Sequence, residues 1–521
     1  MERLVSLFGV FVFLGIAVIF SRNRKAIDWK MVAIGLIAQF IFAFLVLDTT
    51  PGQQFFAGCG HLVGGLMDYS QEGIGFVFGK LADPSGSWSF VFAFKVLPTI
   101  IFFASQMNIL DYLGVLAFVV SQIAKVMMRL MGTSGAETLC ASANIFMGQT
   151  EAPLLIKSYI ATLTESELAV VMVSGFATLA AGVMFIYASM FEPILHAATG
   201  HLLAASVMSA PAAILMAKVI FPEVGEPTTR GAVQLEVPKS DNNVIEAAAS
   251  GAGTGLSLAL NVGAMLIAFI SLVKLINAGL WYIHFGDVHL SLELIFGYLF
   301  APFAWLIGVP GKDILVVGDL LGKNLVINEF FAFSQLLQRL NEHKEIAGRS
   351  VVLCMYALCG FSNLSSIGIQ IGGIGVMAEN RKSDLARLGF MCLLAATLAN
   401  FQTAAVANLL IRDVDTQLAL PPVVAAPAAS PTPAPTPNDT ATPMPAATST
   451  PAPAVTATPM ATDSPMPPVT RRRPHPPEPE TPEAADATPP EASEATPGST
   501  TPAAKLRPSR RDPNRVKPDV F

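Results

Sequence analysis

Long apolar runs alternate with short polar connectors over the first 412 residues of the chain. Each run is close to the length of about 20 residues that a helix needs to cross a bilayer. Val5–Phe20 comes first, and Arg22, Arg24, Lys25 and Lys30 follow it. A secretory signal carries its positive charge before the apolar run and small residues after it. The order here is reversed, so this run reads as a retained transmembrane helix. Met31–Leu47 crosses back. Residues 50–88 are Gly-rich and mixed, which suits an interfacial segment. Ser89–Met107 crosses again, and Leu113–Met131 is amphipathic, with Lys125 and Arg129 near one end. The remaining spans are Leu168–Met190, Leu202–Phe221, Gly255–Leu280, Val351–Met377 and Leu388–Ile411, with the polar loop Pro222–Glu246 among them. Lys and Arg favour the cytoplasmic side of short loops. The 21–30 loop, and the 378–387 loop with Arg381, Lys382 and Arg387, are therefore expected inside, and both termini outside. Arg339, Lys344 and Arg349 run against this scheme, falling on the outer face.

Two apolar regions do not fit single helices. Gly135–Ile160 holds Gly148-Gln149-Thr150-Glu151-Ala152-Pro153 at its middle. Leu292–Leu337 holds Pro302, Gly308, Pro310, Gly311, Gly322 and the run Asn324 to Glu329. Apolar arms around a polar, helix-breaking tip predict a re-entrant hairpin, because non-helical backbone at membrane depth is tolerated only where it lines a cavity. The pattern also repeats. Gly175-Phe176-Ala177-Thr178-Leu179 follows the first hairpin inside a span, and Gly360-Phe361-Ser362-Asn363-Leu364 follows the second. Each hairpin pairs an Asn with a downstream Glu, Asn144 with Glu151 and Asn324 with Glu329. Entered from opposite faces, the two units form an inverted repeat, the arrangement that places a transporter's site near the midplane.

Composition sharpens this picture. Of 521 residues, 52% are hydrophobic and 13% charged, against about 25% charged in soluble domains. Pro421 to Phe521 holds 27 of the 38 prolines, a single Leu and no Trp or Tyr, so the membrane part is more apolar than the mean hydropathy of +0.55. A water-soluble globule is excluded. The Pro-Thr-Pro and Ala-Thr-Pro runs of the tail favour extended polyproline geometry and cannot bury a core. A disordered extension is expected there, and Arg471–Arg473 and Arg510–Arg511 are basic patches suited to anionic envelope polymers. The net charge of −6 says little about partners. Cys59, Cys140, Cys354, Cys359 and Cys392 are scattered without a C-x-x-C pair, which fits small core residues rather than a disulfide framework or zinc site.

Candidate chemistry centres on Glu151 and Glu329, read as the only acids deep in their apolar stretches. A carboxylate there is costly without a partner or a water-filled cavity. The alternatives are an interhelical structural hydrogen bond, a metal site (no His lies near in sequence) and a hydrolase, for which no G-x-S-x-G elbow is present. Gln149 and Thr150 offer an amide and a hydroxyl able to read a polar ring edge. Asn363 and Ser366, three apart, share a helix face. With Glu329 they suit vicinal hydroxyls, or else serve as small polar packing residues. Phe361 suits stacking on a ligand or ordinary packing. Unwound backbone near Asn144, Met147, Thr178 and Leu179 suits a hard cation.

The segments Asn144 to Leu154, Asn328-Glu329-Phe330 and Gly360 to Gly368 resemble the signatures of the concentrative nucleoside transporter family, over a layout covering about residues 1 to 412. The resemblance implies an all-α polytopic fold of about eight transmembrane helices plus two opposed re-entrant hairpins. It also implies a homotrimer around a long helix at Gly255–Leu280, with no nucleic-acid partner and no cofactor. Gln149, Thr150, Glu151 and Val183 are then placed at the nucleobase, Glu329, Asn363 and Ser366 at the ribose hydroxyls, and Phe361 along the pocket. The coupling sodium takes the Asn144 side chain, the Thr178 hydroxyl and the Met147 and Leu179 carbonyls. Protons are the alternative coupling ion. The domain layout expected is a scaffold at 1–134, the first hairpin and broken helix at 135–221, a cytoplasmic loop and long scaffold helix at 222–285, the second hairpin, broken helix and last span at 286–412, and the tail at 413–521. A membrane-embedded enzyme and a non-transporting receptor are the rival classes; neither needs an inverted repeat.

Overall fold

The computed structural model describes residues 2–82, 91–195, 197–230, 241–286, 288–342, 345–412 and 416–418. All belong to one compact unit, Met1–Pro431. The expectation of a disordered tail lies outside the described residues, apart from 416–418, and so does Lys344.

Apolar runs preceded by short polar side chains become capped helices. The first are α1 (Glu2–Ile19), α2 (Trp29–Leu47) and α3 (Thr50–Phe78); then come α4 (Phe92–Lys95), α5 (Leu97–Tyr112), α6 (Val115–Met131) and α7 (Gly135–Ala143). Asp28 caps α2 and Thr49 caps α3 through backbone N–H groups that would otherwise lack partners. The chain continues through α8 (Glu165–Ala177), α9 (Ala181–Phe191), α10 (Ala198–Ile220) and α11 (Val244–Leu280). A small hairpin follows, of β1 (His284–Phe285) and β2 (Val288–His289). Then come α12 (Leu292–Ile307), α13 (Ile314–Val326), α14 (Glu329–Asn341), α15 (Gly348–Ala357), α16 (Leu364–Met377) and α17 (Lys382–Leu410). The fold is helical, as expected. Among the described residues α1, α2, α8–α9, α10, α11 and α17 are long and apolar enough to span, while α5 and α6 qualify as a pair bent by 71°. α12 and α16 are apolar but shorter, at 16 and 14 residues.

Several boundaries differ from the sequence reading: α5 runs past Met107 to Tyr112, and α11 starts at Val244 rather than Gly255. The mixed 50–88 segment contains one 29-residue helix, α3. The second hairpin does not begin at Leu292. Gly308, at φ 90°, and Pro310 end α12 as a separate helix, and the hairpin is α13 and α14 around Ile327 and Asn328. A left-handed residue followed closely by Pro stops a helix; in the sequence these two look like further polar content of the tip.

The order helix, hairpin, broken helix, helix occurs twice, as α6 to α10 and as α12 to α17. Two charged poles show that the copies run in opposite directions. At one pole Arg22 and Arg387 both reach Glu165 at the start of α8, and the Arg22 amide donates to the Ile220 carbonyl at the end of α10. There Lys218, 7% exposed, pairs with the buried Glu137 at 2.7 Å and with Glu223 at 3.2 Å. Arg381 donates to the carbonyls of Ile160, Ala161 and Leu163, closing the root of the first hairpin. At the other pole Arg412 pairs with Asp48 at 2.6 Å, Arg3 donates to the Ile411 carbonyl, and Arg349 at the start of α15 donates to Asn408 near the end of α17. Thus α8 starts where α10 ends, at the first pole, and α15 starts where α17 ends, at the second. The 21–30 and 378–387 loops share the first pole, as the charge pattern requires. Arg349 departs from that pattern because its guanidinium satisfies carbonyls at a helix end, a local use that outweighs the loop-charge preference.

α5 lies along α11, where Gly251 and Gly255 let the two backbones approach at Ala104. Otherwise α11 is largely uncovered, with Ile245, Leu256, Leu260, Ile267 and Leu275 exposed.

Candidate functional site

The first hairpin enters through a capping box, in which Ser134 and Glu137 satisfy the opening amides of α7. The helix ends at Asn144, and the chain makes tight turns through Gly148 to Glu151. Glu151 folds back to accept from the Gly148 amide at 3.0 Å. The Phe146 carbonyl accepts from Ala181 N at 2.8 Å, tying the turn to the start of α9. Between α8 and α9 the helix is interrupted: Thr178 is extended, at φ −123° and ψ 165°.

In the second hairpin Asn328 caps α14, and Glu329 is its first residue, 5% exposed. The N-terminal end of a helix favours a carboxylate. Tyr187 donates its hydroxyl to Glu329 Oε1 at 3.2 Å, and Asn363 Nδ2 donates to Oε2 at 3.1 Å. A carboxylate has about four acceptor positions, so two remain for further O–H donors. Asn363 Oδ1 meanwhile caps α16, accepting from Ser366 N at 3.0 Å and Ser366 Oγ at 3.1 Å.

The two helix breaks cross. Phe361 N donates to the Thr178 carbonyl at 3.4 Å, and Ser362 Oγ to the Phe176 carbonyl at 2.9 Å. A Cβ at Gly360 would lie 2.8 Å from the Phe176 carbonyl oxygen, so only glycine admits the crossing. Across it, Gln149 Nε2 donates to Ser366 Oγ at 3.3 Å. This bond joins the tip of the first hairpin to the residues that hold Glu329.

Gln149, Glu329, Asn363 and Ser366 thus form one buried polar cluster. Thr150, half-buried, packs on α16 at Gly373. Val183 in the first turn of α9 and Phe361 at the break are also half-buried. Glu151 departs from the reading of a deep acid, because the hairpin tip leaves it exposed. Nor are the two glutamates the only acids inside apolar stretches: Glu137, Glu167 and Asp313 are buried as well. Each of these three has local compensation, from Lys218, from Ser134 and from Ser350 respectively.

Behind the first hairpin, Asn144 Nδ2 donates to Ser174 Oγ at 3.0 Å. The Ser174 proton goes to the Val171 carbonyl, so Ser174 can only accept from Asn144, and this fixes the amide orientation. Asn144 Oδ1 is left buried without a hydrogen-bond partner. Thr178 Oγ1 commits its proton to the Ser174 carbonyl at 2.8 Å, leaving its lone pairs as acceptors. Asn144 and Thr178 are thus both bonded to Ser174, and an orphaned amide oxygen and a hydroxyl with free lone pairs are oxygen donors of the kind that suits a hard cation. Among the described residues no group of three or more His, Cys, Asp or Glu forms a metal cluster.

Tyr187 and Ser174 escaped the sequence reading. Each lies in an otherwise apolar helix, where Tyr and Ser read as packing. Their one available signal is position, four residues before the 178–180 break for Ser174 and seven after it for Tyr187.

Comparison with known proteins covers nearly all of the membrane part. Family models described as the N-terminus and C-terminus of Na+ dependent nucleoside transporters match residues 8–81 and 201–408, and a nucleoside-recognition gate model matches residues 93–194. A transporter of Haemophilus influenzae is 43% identical over 419 residues, covering 79% of this chain and 98% of the relative. Solute carrier family 28 member 3 of Homo sapiens is 38% identical over 425 residues, 78% of this chain and 60% of that protein. Among solved structures, CNTnw in an inward-facing substrate-bound state superimposes with a TM-score of 0.73 at 39% identity, covering 79% of this chain and 100% of the other.

Proposed function

This chain belongs to the sodium-dependent, concentrative nucleoside transporter family, and from that membership we propose that it is a sodium/nucleoside symporter working by alternating access. It is a multi-pass membrane transporter and not an enzyme. The observation that supports the finer reading is the junction of the two helix breaks at Thr178 and Phe361, with Asn144 bonded to Ser174 on one side and Gln149 bonded to Ser366 across it.

In this reading Glu329 accepts from the ribose hydroxyls while Tyr187 and Asn363 hold its carboxylate in place. Ser366 and Asn363 complete the ribose side, and Phe361 and Val183 wall the pocket. Gln149, Thr150 and Glu151 meet the nucleobase. Gln149 and Ser366 satisfy each other across the site, so an entering nucleoside exchanges that bond for its own. Sodium takes Asn144 Oδ1, the Thr178 hydroxyl and the Met147 and Leu179 carbonyls. A cation there holds the first hairpin in its binding shape. The pole bearing Arg22, Arg381 and Arg387 faces the cytoplasm, and the N-terminus and the tail face outward. Residues 1–134 and 222–285 act as the scaffold, 135–221 and 286–412 as the moving part, and the uncovered face of α11 packs against two further copies in a homotrimer.

The test is uptake of labelled uridine into proteoliposomes, with and without an imposed sodium gradient. Accumulation that requires the sodium gradient supports the proposal. Accumulation that ignores sodium and follows a pH gradient replaces sodium by protons, and the absence of uridine accumulation under either gradient rejects the substrate class.

A further inference from the structure

One buried side chain facing the site has no role in the reading above. Gln370 lies on α16, one turn beyond Ser366, and is fully buried. Its Nε2 donates to the Met172 carbonyl at 3.0 Å and to Gln149 Oε1 at 3.2 Å. A backbone carbonyl is an acceptor only. The Gln370 amide nitrogen must therefore face Met172, and its second N–H then meets Gln149. That contact requires the oxygen of Gln149, so Gln149 turns its own NH2 toward Ser366 and the site. The polarity continues from there. Ser366 donates to Asn363 Oδ1, and Asn363 donates to the Glu329 carboxylate. Every link from the Met172 carbonyl to Glu329 is directional, because the Met172 carbonyl can only accept at one end and the Ser366 backbone N–H, donating to Asn363 Oδ1, fixes the Asn363 amide at the other.

The alternative orientation fails on the same geometry. Rotating the Gln370 amide would set its oxygen against the Met172 carbonyl and forfeit both donated bonds. In the present orientation that oxygen is buried without a partner, a smaller loss. Gly175 makes room for the pair, since a Cβ there would lie 2.7 Å from Gln370 Nε2 and 2.9 Å from Gln149 Cβ.

We infer that Gln370 is a positioning residue that fixes Gln149 as a hydrogen-bond donor toward the ligand, so that the base side of the site selects nucleosides presenting an acceptor there. The inference rests on the proposed nucleoside function and adds the polarity of base recognition to it.

Uridine and cytidine are suitable probes because they exchange donor and acceptor at both ring positions 3 and 4. Uridine presents a carbonyl at 4 and N–H at 3, and cytidine presents an amino group at 4 and a bare nitrogen at 3. Reversing Gln149 must therefore change their relative uptake whichever of these two positions it meets. Gln370→Glu supplies that reversal in either protonation state. An ionised carboxyl only accepts, and a neutral one spends its single proton on the Met172 carbonyl, so Gln149 turns its NH2 inward and its oxygen to the site. Gln370→Leu removes the constraint and leaves Gln149 free to take both orientations.

The experiment measures apparent affinity for labelled uridine and cytidine in proteoliposomes for the wild type and the two variants, with Gln149→Glu as a third. The uridine-to-cytidine ratio should shift by about tenfold or more in Gln370→Glu and in the same direction in Gln149→Glu, and should move toward one in Gln370→Leu. A purely structural Gln370 would lower uptake of both nucleosides without moving the ratio. A wild-type ratio in whichever variants transport overturns the inference. An unchanged ratio in Gln149→Glu overturns it even where neither Gln370 variant folds. A wild type that takes up no nucleoside fails the functional reading instead, and is seen before any variant is made.

Discussion

Replacing Glu329 by Gln tests the ribose assignment most directly, and the surrounding bonds set the size of the effect. Asn363 Nδ2 can only donate, so the new amide must turn its oxygen to Asn363 and its NH2 to the Tyr187 hydroxyl, which can rotate to accept. The resting cluster therefore remains satisfied and the variant should fold normally. The ligand fares differently. A hydrogen bond to a charged group is worth about 1.5–3 kcal/mol and a neutral one about 0.5–1.5 kcal/mol, so each ribose hydroxyl loses about 1–2 kcal/mol. Two hydroxyls lose about 2–4 kcal/mol, which at about 1.4 kcal/mol per tenfold is a fall of about 30- to 700-fold in apparent affinity. Binding of labelled uridine to purified protein, competed by uridine and by 2′,3′-dideoxyuridine, separates this effect from general damage. The wild type should discriminate strongly between the two competitors and Glu329→Gln only weakly. If Glu329→Gln weakens both competitors equally, the carboxylate does not act through the ribose hydroxyls and the assignment fails.

Asn144→Ala should raise the sodium concentration needed for half-maximal uptake while leaving nucleoside affinity at saturating sodium little changed; equal damage to both would remove Asn144 from the ion site. Lys218→Met should destabilise the protein by about 3–5 kcal/mol, because it strands Glu137 in a buried setting, and adding Glu137→Leu should restore much of the melting temperature in detergent. No recovery in the double variant would mean that Lys218 acts through Glu223 or Ser166. Deleting Pro421 to Phe521 should leave uptake intact, since all the proposed site residues lie between Asn144 and Gln370; a truncated protein that inserts and assembles but does not transport would refute this.

What could be read from the sequence follows the cost of placing polar groups in lipid. The hairpin tips, the paired GF-x-x-L breaks and the residues on them stand out because a Gln-Thr-Glu run or an Asn-Glu pair within an apolar stretch demands a cavity or a partner. The sense of the loops was equally accessible, and Arg22 and Arg387 do meet on Glu165. Other features depend on what lies opposite. Tyr187 reads as core until Glu329 is found 3.2 Å from its hydroxyl. The start of the second hairpin is hidden in the sequence, because Gly308 and Pro310 look alike as part of a tip or as the end of α12. Glu137 does not stand out in the sequence, because its compensating Lys218 lies on a different helix. The direction of a hydrogen bond, decisive at Asn144 and Gln149, is absent from residue identity and depends on which acceptors have no alternative.

The length of α11 has a consequence for the lipid around it. Its 37 residues extend about 55 Å at about 1.5 Å per residue, against a hydrocarbon thickness of about 30 Å. Even at a tilt of about 40°, the upper end of the usual range, it needs only about 39 Å to cross. Some 16 Å, or about ten residues, must stand clear of the hydrocarbon. The polar amino-terminal turns are built for that position: Asn243 caps the helix, and Glu246, Ser250 and Thr254 follow. The end of α5 stands there with it, because Ser105 and Asn108 donate to the carbonyls of Ala248 and Ala247. A change in bilayer thickness can then be met by a change in tilt that feeds this reserve into or out of the headgroup layer, with no need to compress lipid against a helix of fixed span.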